Sequence, residues 1–226
     1  MSAPTLQEMV HRIGETQPRL PFGSSLGIGL AALLAVNFPG TWTFIRYFTT
    51  MAHEGSHVVM SSLLGFKITG VELNMKDAKG GTGVAGTGST VPSLLIGYVG
   101  PSAFGLLAAW LISIGHIVAV LWLALALLFL LLANVRNVFG IAIIVIAGFV
   151  IYVFARYGTV PNQTIGAYGI AWLLMLSGAR VVVIHWKKAL DAQALSKQTD
   201  IMPVVFARIW LVGALFAVFL GARLMM

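Results

Sequence analysis

Residues 41–64 read TWTFIRYFTTMAHEGSHVVMSSLL, an apolar stretch that holds His53, Glu54 and His57 near its middle. A hydrocarbon core about 30 Å thick needs about 20 apolar residues in a spanning helix, so this stretch is long enough to cross it. Ionisable side chains inside such a helix are costly unless they are paired or bind a metal. The stretch therefore predicts a membrane helix whose three polar residues serve a function.

The composition of the chain places this helix in a larger membrane protein. Of the 226 residues, 58% are hydrophobic and 9% are charged, whereas soluble chains carry roughly a quarter charged residues. The first apolar stretch is short and ends at Pro39-Gly40, so we expect an all-α polytopic membrane protein with six to seven transmembrane helices. The apolar stretches are 22–38, 41–64, 91–115, 117–134, 137–157, 164–186 and 203–225.

This composition also excludes several classes of protein. The apolar content excludes a water-soluble domain and a disordered chain, and the absence of cysteine excludes disulfides and thiol chemistry. The net charge of +7 does not indicate a nucleic-acid partner, because basic residues in so apolar a chain mark cytoplasmic loops. We expect the lipid bilayer as the surrounding medium, and no pattern indicates an oligomeric state.

The chain divides into an N-terminal segment and one membrane-embedded domain. Residues 1–21 lack the apolar core of a signal peptide, and their apolar residues from Leu6 to Ile13 recur at helical spacing. This spacing is typical of an amphipathic helix at the cytoplasmic interface, with a solvated tail as the alternative. We expect residues 22–226 to form the single membrane-embedded domain.

A polar interval at about 66–90 interrupts the apolar stretches. Apolar and polar residues alternate from Phe66, the phase slips by one at Gly70, and the alternation resumes from Val71. This is strand periodicity with a glycine bulge, and the glycine-rich residues 82–86 read as a weak return strand. We therefore expect a small cytoplasmic β-hairpin, whose edge either holds a substrate extended by β-augmentation or plugs the site beneath it.

The basic residues indicate which ends of the helices face the cytoplasm. With seven spans and a cytoplasmic N-terminus, nine basic residues fall on one side and two on the other, in line with the positive-inside rule. If the first stretch does not cross, only Arg12 and Arg19 change sides, and the hairpin stays cytoplasmic. The nine are Arg12, Arg19, Lys67, Lys76, Lys79, Arg136, Lys187, Lys188 and Lys197, and the two are Arg156 and Arg223.

The spacing of His53 and His57, four residues apart, places both side chains on one face of a helix and one turn from each other. This arrangement suits two ligands of one tetrahedral zinc ion. Glu54 follows the first histidine and is placed to take a proton from zinc-bound water and pass it to a leaving amine. The alternative is three polar residues that line a channel or brace a helix bundle.

A zinc hydrolase of this type needs a third protein ligand. The acidic residues that do not fall in the N-terminal tail, the hairpin or the histidine helix are Asp191 and Asp200. His185 and His116 are the other candidates, and His116 is the weakest because it falls at the membrane face opposite the hairpin. Asp191 follows an apolar stretch on the hairpin side, where a solvated loop residue is the alternative reading.

These residues together resemble the site-2 proteases, which are intramembrane zinc metalloproteases, and the closer likeness is to their compact bacterial branch. In that branch the HExxH helix runs into a Gly-Phe segment, a glycine-rich hairpin and a Gly-Tyr-x-Gly-Pro helix. The likeness covers about residues 41–226. The matching residues are His53 to His57, Gly65-Phe66, Gly80-Gly81-Thr82, Gly97-Tyr98-Val99-Gly100-Pro101, and the distal Asp191-Ala192, Leu195, Thr199 and Pro203.

The resemblance implies a Zn2+ ion held by His53, His57 and Asp191, with Glu54 as the general base. It also implies an endopeptidase that cleaves membrane-protein substrates in or near a transmembrane segment, at the cytoplasmic side of a bacterial inner membrane. The longer site-2 proteases carry an Asn-Pro…Asp-Gly motif at the third ligand, where this chain has Leu190-Asp191-Ala192.

The position of the third ligand raises a geometric question. His57 lies about eight residues before the end of its helix, or ~12 Å at 1.5 Å per residue, whereas Asp191 is expected at the interface. Either the helix before Asp191 unwinds and dips inward, or His185 is the ligand.

The Gly-Tyr-x-Gly-Pro helix has one face of small residues. Ser93, Gly97, Pro101 and Gly105 recur four residues apart, which lets a neighbouring helix approach closely. Packing is the first role of such a face, and a part in admitting substrate is the second. Gly97 and Gly100 are our candidates for substrate binding.

Two other functions fit parts of the pattern. A non-catalytic pseudoprotease or adaptor would keep the same fold, but the intact Glu54 argues against it, because loss of the base is the simplest route to an inactive enzyme. A transporter or metal channel would predict matching polar residues or broken helices in a second half of the chain, and none is evident. The sequence thus favours a zinc endopeptidase.

Overall fold

The computed structural model of the protein describes residues 6–66, 68, 70–73, 90–186 and 188–226. Within these ranges the chain forms α-helices, and each of the seven apolar stretches becomes one helix. Two further helices, α1 and α8, are short and polar. The helices are α1 (Leu6–Gly14), α2 (Phe22–Asn37), α3 (Pro39–Leu63), α4 (Val91–Ser113), α5 (Ile117–Leu132), α6 (Val138–Tyr157), α7 (Val160–Ile184), α8 (Leu190–Thr199) and α9 (Pro203–Met225).

The number of helices that can cross a membrane is smaller than the six to seven expected. Within the described ranges α4, α6, α7 and α9 are long and apolar enough, and a fifth span results if α2 and α3 together form one broken span. The α2 and α5 helices have 16 residues each, or about 24 Å, which is short of a core about 30 Å thick. Counting apolar stretches overestimated the spans because an apolar stretch can hold a helix shorter than the membrane.

The break between α2 and α3 follows from Pro39. A proline disfavours helical backbone in the residue before it, and Phe38 is accordingly extended, with φ −81° and ψ 127°. Pro39 itself begins the next helix, where its missing N–H is not needed. The two helices meet at a bend of 100°, so the α3 helix with the two histidines leaves the direction of α2.

The α4 helix contacts α3, α5, α7, α8 and α9 and so organises the bundle. Its small residues let the neighbours come close. A Cβ atom on Gly105 would lie 2.6 Å from Cγ of Met175 on α7, so no larger residue fits there without a shift. Beyond this contact, Ala109 and Ile112 of α4 are buried with Tyr168 of α7 in one apolar cluster.

The segment at 70–73 pairs with the turn between α5 and α6. Val71 and Val135 form an isolated parallel β-bridge, in which the N–H of Val71 donates to the carbonyl of Asn134 at 2.9 Å. The N–H of Arg136 donates to the carbonyl of Val71 at 3.0 Å. Gly70 has φ 137°, a backbone conformation that favours glycine, in agreement with the phase slip in the sequence.

The predicted β-hairpin is not supported, since the described ranges contain this isolated bridge and no strand. Its return strand at 82–86 lies outside the described residues. Buried and exposed side chains do alternate over residues 71–73, where Val71 and Leu73 are buried and Glu72 is exposed. The backbone of Leu73 finds its partners in the side chain of Asn137, which accepts from the N–H at 3.0 Å and donates to the carbonyl at 2.5 Å.

The segment that follows α1 docks at the turn between α4 and α5. The N–H of Gln17 donates to the carbonyl of Gly115 at 2.8 Å. Its side-chain Oε1 accepts from the N–H groups of Ile117 and Val118, at 3.0 and 3.1 Å, and so caps the start of α5. The N-terminal segment is therefore held at the C-terminal end of α4.

Candidate metal centre

The α3 helix brings His53 and His57 together, as their spacing predicts. Their Nε2 atoms lie 3.3 Å apart, and the two rings meet edge to face with centroids 4.8 Å apart. Glu54 is 2% exposed, and its Oε1 lies 3.8 Å from Nε2 of His53. Two imidazole nitrogens and a neighbouring carboxyl thus share one buried place on the helix.

Asp191 joins this pair from the first turn of α8. Its Oδ2 atom lies 3.4 Å from Nε2 of His53 and 3.4 Å from Nε2 of His57. Potential ligand atoms of these three residues all lie within 4.8 Å of one another. One carboxylate oxygen and two imidazole nitrogens therefore converge on a single point.

The chain reaches this point by a route that the sequence did not indicate. The α7 helix ends at Ile184, and the carbonyl of His185 accepts hydrogen bonds from the N–H groups of Lys188 and Ala189, both at 2.9 Å. A separate helix, α8, then begins at Leu190 and buries Ala192 and Leu195 against neighbouring helices. Asp191 is inside the bundle because α8 packs there, and α7 needs no unwinding.

The orientation of the His57 ring is set by α4. Its Nδ1 lies 2.8 Å from the carbonyl oxygen of Ser93, a contact in which Nδ1–H is the donor. The proton on Nδ1 leaves the lone pair of Nε2 facing Asp191. A metal-ligating histidine is commonly held by this kind of hydrogen bond from its second nitrogen. Ser93 was expected as part of a small-residue face, with packing as its first role and substrate admission as its second. Its support of His57 could not be predicted, since a carbonyl acceptor leaves no mark in the sequence.

Gly97 of α4 lies directly against the converging atoms. A Cβ atom at this position would lie 2.5 Å from Oδ2 of Asp191 and 2.6 Å from Nε2 of His57. Gly100, one turn further, faces the side chain of Ser56, whose hydroxyl donates to the carbonyl of His53 at 2.6 Å. Gly97 thus keeps the place between the ligand atoms open, and Gly100 lets α4 approach α3. Contact of either glycine with substrate stays a prediction.

The three residues fit a zinc ion by their donor set. Two neutral imidazoles and one carboxylate are a ligand set that zinc takes in hydrolytic enzymes. Oδ2 of Asp191 is buried, and neither imidazole brings it a hydrogen bond. To act as a metal ligand, the Asp191 carboxyl must be ionised.

The other candidates for the third ligand are not among the converging residues. His185 follows α7, with its ring 6.1 Å from that of Tyr98 and its Nδ1 buried without a hydrogen bond. Burial lowers the pKa of its imidazole. Asp200 is exposed at the left-handed C-cap of α8, and His116 begins α5 at the other end of α4.

An aromatic stack supports His53 and was missed by the sequence reasoning. The ring of Tyr98 meets that of His53 edge to face at 4.8 Å and stacks on Trp210 of α9 at 4.7 Å and 20°. Trp210 is 1% exposed, and its Nε1–H donates to the carbonyl of Leu95 at 2.8 Å. Trp210 therefore packs inside the bundle and does not face lipid. Tyr98 and Trp210 are 112 positions apart, so no local pattern joins them.

The comparison with protein families agrees with this geometry. A family model described as Peptidase M50B-like matches residues 26–221, which include all three converging residues and Glu54. No curated protein and no solved structure matches the chain at a significant level.

Proposed function

Since the chain belongs to the Peptidase M50B-like family of site-2 protease membrane peptidases, we propose that it is an intramembrane zinc metalloendopeptidase. Its substrates would be membrane proteins, cleaved in or near a transmembrane segment. The observation that carries this proposal is the convergence of His53, His57 and Asp191 beside the buried Glu54. The convergence lies inside a bundle of apolar helices, where a substrate helix can arrive through the lipid.

The proposed reaction assigns each residue of the centre a task. His53, His57 and Asp191 would hold the metal through Nε2, Nε2 and a carboxylate oxygen. When bound, zinc supplies Lewis-acid activation of water and of a peptide carbonyl. The charge of Asp191 offsets part of the metal's charge in a place where water cannot.

Glu54 is the proposed general base and acid. Its carboxylate takes a proton from the attacking water as the new C–O bond forms, and it gives that proton to the amine nitrogen as the C–N bond breaks. Burial of Glu54 beside His53 keeps the carboxyl within reach of the reacting atoms and away from bulk solvent. General acid–base catalysis of this kind contributes about 10²- to 10⁴-fold to the rate.

We place the centre on the cytoplasmic side of a bacterial inner membrane. Gly97 and Gly115 are 18 positions apart on the chain, or about 27 Å along a helix, so the N-terminal segment and the metal-ligand group lie at opposite ends of α4. This agrees with the topology in which the first apolar stretch does not cross the membrane by itself, so that Arg12 and Arg19 lie on the side opposite the centre. Although α5 has only 16 residues, it runs from the Gly115 end of α4 to the turn that pairs with Val71, and so connects the two sides in this topology. The basic residues then divide seven to four in favour of the side of the centre, because two of the nine move.

Substrate would enter as an extended chain, because a helical backbone hides its peptide bonds. Gly97 and Gly100 are the proposed points of contact. Gly97 lies against the converging atoms, and Gly100 lies one turn further along α4, against Ser56 of α3.

The test compares Glu54→Gln and His57→Ala with the wild type, in purified protein reconstituted with tagged single-span membrane proteins. We expect about one zinc ion per chain in the wild type and in Glu54→Gln, and weakened binding in His57→Ala. Cleavage should be seen in the wild type alone. Zinc without cleavage in the wild type would favour the non-catalytic adaptor, and a folded wild type without zinc would reject the enzyme.

A further inference from the structure

A guanidinium group lies among the membrane helices away from the metal centre. Arg180 belongs to the last turns of α7, one of the helices that can cross the bilayer. Its Cζ atom sits over the indole ring of Trp42 on α3, 4.3 Å from the ring centroid. Trp42 precedes His53 by 11 positions, or about 16 Å along α3, so this contact is separate from the ligand atoms.

The charge of Arg180 has no protein counter-ion in the part of the chain that the structure describes. No carboxylate there forms an ion pair with it, and its Nη1 is buried without an acceptor. The Arg180 side chain as a whole is only partly buried. Of its nitrogens, only Nη1 is both buried and without a hydrogen bond. The stack on Trp42 offsets part of the cost of burying this charge and leaves an edge of the guanidinium for a ligand.

A second guanidinium lies one helical turn from Trp42. Arg46 follows Trp42 by four positions, so both project from the same face of α3. Its Cζ atom is 5.3 Å from the ring centroid of Tyr47, and within the described ranges it too has no ion pair. Arg180 therefore contacts the Trp42 indole, Arg46 lies one helical turn from Trp42, and no carboxylate among the described residues forms an ion pair with either.

The surroundings of this pair are those of a surface in contact with lipid. Large apolar side chains near Trp42 and Arg180 are exposed, among them Phe44 at 69% and Val183 at 58%. Tryptophan favours the depth of the lipid headgroups. Arg180 is also close to the end of α7 that leads to the proposed cytoplasmic loop, and basic pockets between helices on that side bind anionic headgroups.

We propose that Arg180, with Trp42 and Arg46, binds the phosphate group of an anionic phospholipid of the cytoplasmic leaflet. The planar guanidinium offers two parallel N–H donors to two phosphate oxygens, a geometry that an ammonium does not have. The indole holds the guanidinium in place from the other side, and Arg46 adds a second positive charge. This site does not depend on the proposed peptidase function.

The test measures lipid binding to the full chain by native mass spectrometry in mild detergent. Phosphatidylglycerol and phosphatidylcholine of the same acyl length are added separately to the wild type and to Arg180→Met. The matched control is Arg208→Met, which removes an exposed arginine from the apolar helix α9. We expect phosphatidylglycerol to bind Arg180→Met about tenfold more weakly than the wild type, since charge-assisted hydrogen bonds are the strong ones, and Arg208→Met to bind like the wild type.

Three results would overturn the proposal. Arg180→Met could bind phosphatidylglycerol as the wild type does, or Arg208→Met could lose as much, which would mean a general effect of charge. Inorganic phosphate alone, at millimolar concentration, could displace the lipid completely, which would make free phosphate the ligand. If Arg180→Met does not fold, Arg180→Lys serves instead. We then expect the affinity for phosphatidylglycerol to fall several-fold, because lysine keeps the charge but lacks the two parallel N–H donors. Zinc content, measured in parallel, should be equal in all folded variants.

Discussion

The backbone of Gly97 faces Nε2 of His57 so closely that a Cβ atom on the glycine would lie 2.6 Å from that nitrogen. The same Cβ atom would lie 2.5 Å from Oδ2 of Asp191. The two atoms that converge from α3 and α8 therefore do so over a part of α4 that has no side chain. In this arrangement α4 leaves room, and α3 and α8 provide the converging atoms.

Substitution of Gly97 by alanine should weaken metal binding without unfolding the protein. The methyl group would push the ligating atoms of His57 and Asp191 aside, and disturbance of ligand orientation costs about 10- to 100-fold in affinity. Alanine is also the better helix former by about 1 kcal/mol, so α4 itself is not weakened. Zinc affinity is measured by competition with a chelator.

The matched control for this change is Gly169→Ala in α7, where a Cβ atom would meet nothing within 4 Å. It should bind zinc like the wild type. Wild-type affinity in Gly97→Ala would mean that the metal does not lie against this glycine.

Substitution of Asp191 by asparagine should reduce zinc affinity by about 10-fold or more, because a neutral amide replaces the ionised oxygen between the two imidazoles. Asp200→Asn is the control in the same region of the chain. Asp200 is exposed with φ 57°, and asparagine tolerates this left-handed backbone. Equal zinc affinity in the two variants would return His185 to consideration as the third ligand.

Replacement of Trp210 by leucine should loosen the metal centre through Tyr98. Without the stacked indole the Tyr98 ring is free to move from the edge of His53, which lies 4.8 Å away. We expect a several-fold loss of metal affinity and an altered visible spectrum of the Co2+-substituted protein, a signal that a purely global loss of stability does not produce. Trp210→Phe keeps a stacking ring and should restore most of the spectrum.

The control for the tryptophan is Trp110→Leu on the same central helix as Tyr98. Trp110 is 49% exposed, so its loss should leave both the spectrum and the affinity unchanged. An unaltered spectrum in Trp210→Leu would show that Tyr98 does not need the indole to support His53.

Substitution of Asn137 by alanine should release the segment at 70–73 from the turn after α5. The side chain makes two hydrogen bonds with the backbone of Leu73, and their loss should cost about 1 to 3 kcal/mol locally. Faster hydrogen exchange at the Leu73 amide would report it. The neighbouring Asn134→Ala removes only a side-chain hydrogen bond to the carbonyl of Leu130 in the preceding helix α5, and should leave that exchange rate near the wild-type value.

Much of the local structure could be predicted from the sequence. Each apolar stretch became a helix, and the four-residue spacing placed His53 and His57 on one face, because backbone hydrogen bonds make helical periodicity a property of neighbours along the chain. The cost of placing His53, Glu54 and His57 in an apolar stretch also led to the prediction that these residues serve a function, which stays a prediction.

Three features depended on contacts between distant parts of the chain. They are the number of membrane spans, the residues that pack against the two histidines, and the position of Asp191 on α8. The α2 helix ends where Pro39 forces an extended residue and α3 turns through 100°, so apolar length alone overcounted the spans. Segment 70–73 found its partner in the turn at Val135, which lies beyond two helices in the sequence. Trp210 reaches Tyr98 only because α9 packs beside α4.

The sequence by itself determined the helices, their apolar character and the pair of histidines with the glutamate, since these depend on residues within a few turns of one another. Only the tertiary structure decided that α8 carries Asp191 to within 3.4 Å of both histidines, and that Gly97 leaves them room. The physical reason is that such contacts are set by how buried surfaces of separate helices fit together, which no spacing along the chain records.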